Sequence, residues 1–252
     1  MKFIVTFIIL IGTSFSLQAQ TSHTEPVNGI QWIRITSEAD VVIKAHDKNE
    51  IQIVPERFRP VSEDKTKGLK RADTNDTDNT GIDFNVSRDG SNLLIKNLRA
   101  SGGEKTTIYV PASLNIAVHS ENLCNTEIEN MEGEIEVDSE VSGNVTITDV
   151  LGPVTISTNA GNVVATFKKI NQKIPTTIST TTGEIEVRLP NNASASIFMA
   201  SMMGKIHSDF RIDDPKNEKK KITDQKIKGV INNGGVSVRL SSATGNIQLK
   251  TN

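Results

Sequence analysis

The sequence has one cysteine, and the lack of a second excludes an internal disulfide. The fold has to be held by packing alone. Cys124 also lies too far along the chain to be the lipid-bearing first residue of a mature lipoprotein. It reads as a small apolar core residue, with a reactive or intermolecular thiol as the alternative. Rings are scarce, with one Trp, one Tyr and eight Phe. A narrow core between sheets about 10 Å apart suits Val, Ile and Leu better than rings. Trp32 reads as a core residue near the N-terminal cap.

Long apolar runs are missing beyond the N-terminus, where none approaches the roughly 20 residues of a membrane-crossing helix. Lys2, the apolar run Phe3 to Ile11 and the small-residue exit at Ala19 outline a secretory signal over 1–19. The mature chain, 20–252, is then expected to be exported, to the periplasm or the cell surface, without an integral membrane segment. An excess of one charge is lacking too: 28 basic residues face 30 acidic ones, and loss of Lys2 moves the net charge only from −2 to −3. That near balance argues against a nucleic-acid partner. The four histidines, at 23, 46, 119 and 207, are scattered. No nucleophile elbow, metal-ligand spacing or phosphate-cradling glycine loop occurs. No catalytic, cofactor or metal residue is assigned, and a glycan-active β-helix enzyme is the least supported class.

What the sequence does have is a repeat. From Gly133 to Ala165 it reads Gly-Glu-Ile-Glu-Val, Gly-Asn-Val-Thr-Ile, Gly-Pro-Val-Thr-Ile and Gly-Asn-Val-Val-Ala, each unit nine or ten residues after the last. Apolar residues two positions apart give a strand with one buried face, and the glycine opens it at a corner. Such a unit cannot bury that face alone, so units must stack. The expected fold is an all-β, single-domain parallel β-solenoid, β-helix-like, with coils of about 18 to 22 residues and right-handed by the general preference of parallel crossovers.

The same period runs outward from this centre. Ile33 and Ile35, Val41 and Ile43, and Ile51 and Ile53 form a less regular terminal coil that should cap the stack. Ile82 to Ile95 reads as two strands around an Asp89-Gly90 turn, with Ile82, Phe84 and Val86 in the first and Leu93 and Ile95 in the second. Pro111 and Pro190 belong at corners. Gly234-Gly-Val-Ser-Val and Gly245-Asn-Ile-Gln-Leu restore regularity at the end, where Lys250 would guard an exposed edge strand. Two polar insertions interrupt the pattern, at about 56–80 and 213–226. In the first, Asp73, Asn75, Asp76 and Asp78 invite a calcium reading, but Ser87 stands where a bidentate acid is needed, so a polar loop is preferred.

The glycine-led units, the Val110-Pro111 and Leu189-Pro190 corners and the closing Gly-Asn-Ile strand together resemble the adhesin-domain family of exported bacterial β-strand-repeat proteins, a domain of unknown function. The resemblance covers roughly residues 30–252. It implies a β-solenoid at the cell envelope, adhesin-like, taking a surface polymer or protein as partner, and it brings no catalytic motif.

Three features remain as candidate surfaces. Glu127 and Glu129, Glu134 and Glu136, and Glu184 and Glu186 each flank an inward Ile, and Glu134, Glu136, Glu184 and Glu186 suggest an acidic face. Stacking Ile135 on Val154 avoids adjacent glutamates, and the same rule sets Glu184 and Glu186 against Lys205 and His207; a charge-matched, solvated surface follows. The hydroxyl-rich strands Thr146 to Thr148, Thr155 to Ser157 and Thr176 to Thr182 suit a half-exposed sheet, with a flat array for ice or glycan as the alternative. Phe198 and Met199 cannot both point inward from one flat strand, so a bulge is expected there. Phe198, Met199, Met202 and Met203 are the preferred place for a partner contact, and a periplasmic scaffold or sensor acting through them is the alternative function.

Overall fold

The computed structural model describes residues 22–56, 77–99, 104–213 and 225–252. The signal segment, most of the first insertion with Asp73, Asn75 and Asp76, and residues 214–224 of the second lie outside the described residues.

Among the described residues all regular structure is β. The first strands are β1 (His23–Pro26), β2 (Trp32–Ser37), β3 (Val41–His46), β4 (Glu50–Pro55), β5 (Phe84–Asp89), β6 (Asn92–Asn97) and β7 (Thr106–Pro111). The centre holds β8 (Asn115–Ser120), β9 (Thr126–Glu129), β10 (Ile135–Ser139), β11 (Val145–Val150), β12 (Val154–Ala160), β13 (Val163–Phe167), β14 (Thr176–Thr182) and β15 (Ile185–Leu189). The chain closes with β16 (Ala195–Ser201), β17 (Ile206–Ser208), β18 (Lys226–Ile231), β19 (Ser237–Ser242) and β20 (Ile247–Thr251).

These strands build two ten-stranded sheets. In the centre successive strands alternate between them, so each coil contributes one strand to each sheet. Val145 pairs with Val163 18 residues on, Ile135 with Val154 19 residues on and Ile156 with Ile178 22 residues on, all parallel. The expected solenoid and its coil length are observed. Antiparallel pairs occur only toward the ends, as β1 with β4, β4 with β7, β5 with β6, and β16 with β18.

The core lies between the sheets as stacked aliphatic rungs. Ile35, Val118, Val137, Ile156, Ile178, Leu240 and Met199 form one continuous row on the second sheet, all buried. Cys124 is buried as well, which agrees with its apolar reading. Where strands leave the second sheet the inward position is instead a small polar residue: Ser37, Ser120, Ser139, Thr158, Thr180, Ser242 and Ser201, again one row and again buried. The hydroxyls of Ser37, Thr180, Ser201 and Ser242 bond the corner backbone, as when Ser242 donates to Gly183 O at 2.9 Å and accepts from Gly245 N at 2.8 Å, whereas those of Ser139 and Thr158 have no partner among the described residues.

The coil order is not the chain order. The last coil, β19 with β20, lies between the coil of β14 and β15 and that of β16 and β17. At the other end β2 lies between β6 and β8, and β3 between β7 and β9. Two expectations change as a result. Of the first coil only β4 lies at a sheet end, with β1 outside it, whereas β2 and β3 lie inside the stack and β5 ends the second sheet. The C-terminal strand is no exposed edge, because β20 pairs with β15 on one side and β17 on the other.

Candidate functional site

With the core filled by aliphatic side chains, chemistry is confined to the outer faces. On the first sheet Glu127, Glu129 and Glu186 are matched to nearby cations. Lys105 meets Glu127 at 3.0 Å, Lys44 meets Glu129 at 3.2 Å, and Glu186 takes both Lys250 and Arg188 at 2.6 Å. The hydrogen bond from Lys250 holds the Glu186 carboxyl below its ordinary value; burial pulls the other way and Arg188 adds to the lowering. Glu184 and Glu186 do not meet Lys205 and His207, because β20 intervenes and places Asn246 and Gln248 opposite them.

The proposed acidic quartet is split by the fold. Glu184 and Glu186 belong to the first sheet's outer face, whereas Glu134 and Glu136 belong to that of the second. The two pairs flank strands in different sheets, so they make no single acidic face. The hydroxyl-rich stretches divide similarly: Thr146 and Thr148 lie on the first sheet, and Thr155, Ser157, Thr177 and Ser179 on the second, while Thr176 and Thr180 point inward.

The second sheet's outer face changes character along the stack. Over β5, β6, β2, β8, β10 and β12 runs an open groove of about 620 Å³ with Leu94 and Ala117 among its lining residues. Arg34 crosses Ala117 to reach Glu136 at 3.8 Å, and its guanidinium lies 5.0 Å from the Trp32 ring centroid. His119 stands 3.3 Å from both Asp138 and Glu140. Trp32 is thus on the outer surface and not in the core: in β2 the inward, buried residues are Ile33, Ile35 and Ser37, which puts Trp32 on the opposite face. A hydroxyl band follows, with Thr155 and Ser157 in register with Thr177 and Ser179.

Past that band the face becomes basic. The register runs Thr177, Arg239, Phe198, Lys228 across four strands, with Ser179, Ser241, Ala200 and Lys226 as the next row. Lys226 Nζ lies 5.4 Å and Arg239 Cζ 5.6 Å from the Phe198 ring centroid. The expected bulge is absent. Strand β16 alternates strictly, Ile197 and Met199 inward and Phe198 outward, with unbroken pairing on both sides. Met199 is therefore core and is unavailable to a partner, at 0 % exposure. Met202 and Met203 occupy the turn beyond β16 and are 75 % and 78 % exposed.

Among the described residues no group of three or more His, Cys, Asp or Glu is placed to hold a metal. Asp78, the described remnant of the calcium reading, spends its carboxylate on its own turn. It accepts from Thr80 N at 2.8 Å, Thr80 Oγ1 at 2.9 Å, Gly81 N at 2.9 Å and Asp83 N at 3.2 Å. Burial would raise this carboxyl, yet these bonds outweigh it and leave it below its ordinary value.

Two facing, mostly parallel sheets with glycine-built corners and side-chain chemistry only on the outside define a β-solenoid scaffold. The chain belongs to the Toastrack DUF4097 family, a domain of unknown function, whose profile matches residues 113–250. The match spans the four glycine-led units and agrees with the resemblance drawn from them. No curated protein matches the chain significantly. Among solved structures, one from Clostridium sporogenes ATCC 15579 described as a "putative cell adhesion protein" is 11% identical, with 92% of this chain and 99% of that one covered and a TM-score of 0.49. Another, from Bacteroides fragilis NCTC 9343, described as a "putative adhesin", is 14% identical over 92% of this chain and 96% of that one, with a TM-score of 0.35.

Proposed function

We propose that the protein is an exported, non-catalytic envelope scaffold, adhesin-like, whose second-sheet outer face holds a surface polymer. The observation that supports this most directly is the face itself. Side chains repeat in register at about 4.8 Å per strand, from the Arg34 and Glu136 groove across the hydroxyl band to the Phe198 end. A regular, shallow surface of this kind suits an extended chain with its own repeat better than a small molecule, which calls for an enclosing pocket. The test is capture of polysaccharide from isolated envelope fractions by the purified mature chain, with labelling of intact cells to place it. Retention of polymer together with labelling before lysis supports an adhesin. Failure to retain any polymer overturns the reading.

The exposed Met202 and Met203 favour a second reading, a periplasmic scaffold acting through a protein partner. Replacing both by Asp should then abolish capture of that partner and leave polymer retention intact.

A further inference from the structure

We infer that the Phe198 end of the second sheet is a binding site for an anionic glycan segment, one bearing carboxylate or sulfate groups; the inference rests on the polymer-binding reading above and narrows it.

The argument begins with charge matching. Six cations elsewhere on the two outer faces are paired: Arg34, Lys44, Lys105, Lys168, Arg188 and Lys250 each lie within 4 Å of a carboxylate oxygen. Lys226, Lys228 and Arg239 form no ion pair with any described carboxylate, although the fold brings all three to one ring. Three like charges this close repel one another, and facing quadrupoles offset only part of that. An anion laid over the patch removes the repulsion and gains charge-assisted hydrogen bonds, which the planar guanidinium of Arg239 can make in pairs.

The surroundings select a glycan among anions. Thr177, Ser179 and Ser241 sit in the same two rows and offer hydroxyls that can both donate and accept. Phe198 supplies an apolar surface in the middle, and Ala200 leaves the next row low. From Lys228 to Thr177 is three strand spacings, about 14 Å, a flat strip suited to a few sugar units in a row. Phe198 stands out in the sequence, but its basic surroundings are not legible by local spacing, because Arg239 reaches Phe198 only through the insertion of β19 beside β16.

The test uses the mature chain and three immobilised probes: polygalacturonate, dextran sulfate and neutral dextran. Binding to either charged polymer, weakened by salt and absent from neutral dextran, is expected. Preference for the first marks a carboxylate ligand and for the second a sulfate. The double variant Lys228→Glu, Arg239→Glu should bind the preferred probe at least about tenfold more weakly. Lys173→Glu, a charge reversal of an exposed lysine on the β13–β14 connection, should not change it. Thermal melts of both variants establish that the fold is kept. Equal binding to neutral dextran overturns the anionic assignment while leaving polymer binding standing. Equal loss in both variants, or equal binding to single-stranded DNA, reduces the effect to unspecific charge and overturns the site. Absence of binding to all three probes overturns the inference, and the envelope-fraction capture then decides the broader reading separately.

Discussion

The side-chain oxygen of Asn144 accepts the backbone N–H of Asn162, one coil further along, at 3.0 Å. The same bond runs from Asn125 to Asn144 at 3.0 Å and from Asn162 to Glu184 at 2.9 Å, and Asp40 opens the series by accepting from Asn125 at 2.7 Å. At Glu184 the backbone series breaks, its carboxylate accepting the side-chain amide of Asn246 at 2.8 Å, and the same backbone bond recurs once more where Asn246 accepts the N–H of Lys205 at 2.9 Å. Corner amides that strand pairing cannot reach are satisfied this way. Asn144→Ala should cost about 0.5–1.5 kcal/mol, read from urea unfolding, and Asn144→Asp, which keeps the acceptor, clearly less.

The corner glycines give a sharper contrast. A Cβ added at Gly152 would overlap the carbonyl oxygen of Gly133 in the coil below, whereas one added at Gly29 meets nothing within 4 Å. Gly29 is conformationally demanding only, at φ 76°. Gly152→Ala should therefore cost more than about 3 kcal/mol, because backbone in a stacked coil has nowhere to move. Gly29→Ala should cost about 1 kcal/mol. Similar losses for the two would mean that the coils are not packed backbone against backbone.

Much of this was legible in the residues, and what was not has a definite cause. Strand positions, the inward aliphatic pairs and the glycine corners follow from a period of two, which local sequence carries. Neighbour choice does not. Ile197 with Met199 and Val238 with Leu240 present the same inward pattern, so either pair could stack on Thr176 and Ile178, and only the fold shows that the later pair does. The different partners of Glu184 and Glu186, the paired position of the strand that carries Lys250 and the approach of Arg239 to Phe198 all descend from that one ambiguity. Trp32 was misassigned for another reason: a lone ring among aliphatics looks like core, while its alternation with Ile33 and Ile35 places it outside. Asparagine follows three of the corner glycines, at 144, 162 and 246, and that recurrence is the signal by which the side-chain ladder can be read.

Glu186 gives a pH dependence. Its carboxyl is held below the ordinary value of 4.5 chiefly by Lys250. Since the folded state binds the proton less readily than the unfolded state, the stabilisation is complete above that ordinary value and is lost as pH falls through the folded one. Urea midpoints of the native chain should therefore drop on acidification below about pH 4.5 more steeply than those of Glu186→Gln. Parallel curves would show that the Lys250 contact contributes nothing.

Asp78 gives a test of the calcium reading of the first insertion. Four hydrogen bonds from Thr80, Gly81 and Asp83 occupy its carboxylate, so calcium would have to displace bonds already made. Calcium should leave the melting temperature unchanged, and Asp78→Asn, which weakens those bonds without removing them, should lower stability by about 1 kcal/mol. A rise of several degrees with calcium would restore the cation site.

The inserted final coil makes the strongest prediction about the fold. In a simple solenoid the last coil has one neighbour, and its removal costs one interface while the remainder stays stacked. Here removal of residues 237–252 takes away strands that are paired on both sides, β19 between β14 and β16 and β20 between β15 and β17. It also strips Glu186 of Lys250 and Ile185 N of its bond to Asn246 O. The aliphatic rows of the two flanking coils would then face a gap one strand wide. Truncation after Val236 should give a chain that fails to melt cooperatively and exposes apolar surface to a reporter dye. The competing outcome is closure of the gap, with β17 meeting β15 so that Glu184 faces Lys205 and Glu186 faces His207. That register is chemically sound, so a soluble, cooperatively folding truncation would show that the final coil is dispensable and that its insertion serves something other than stability.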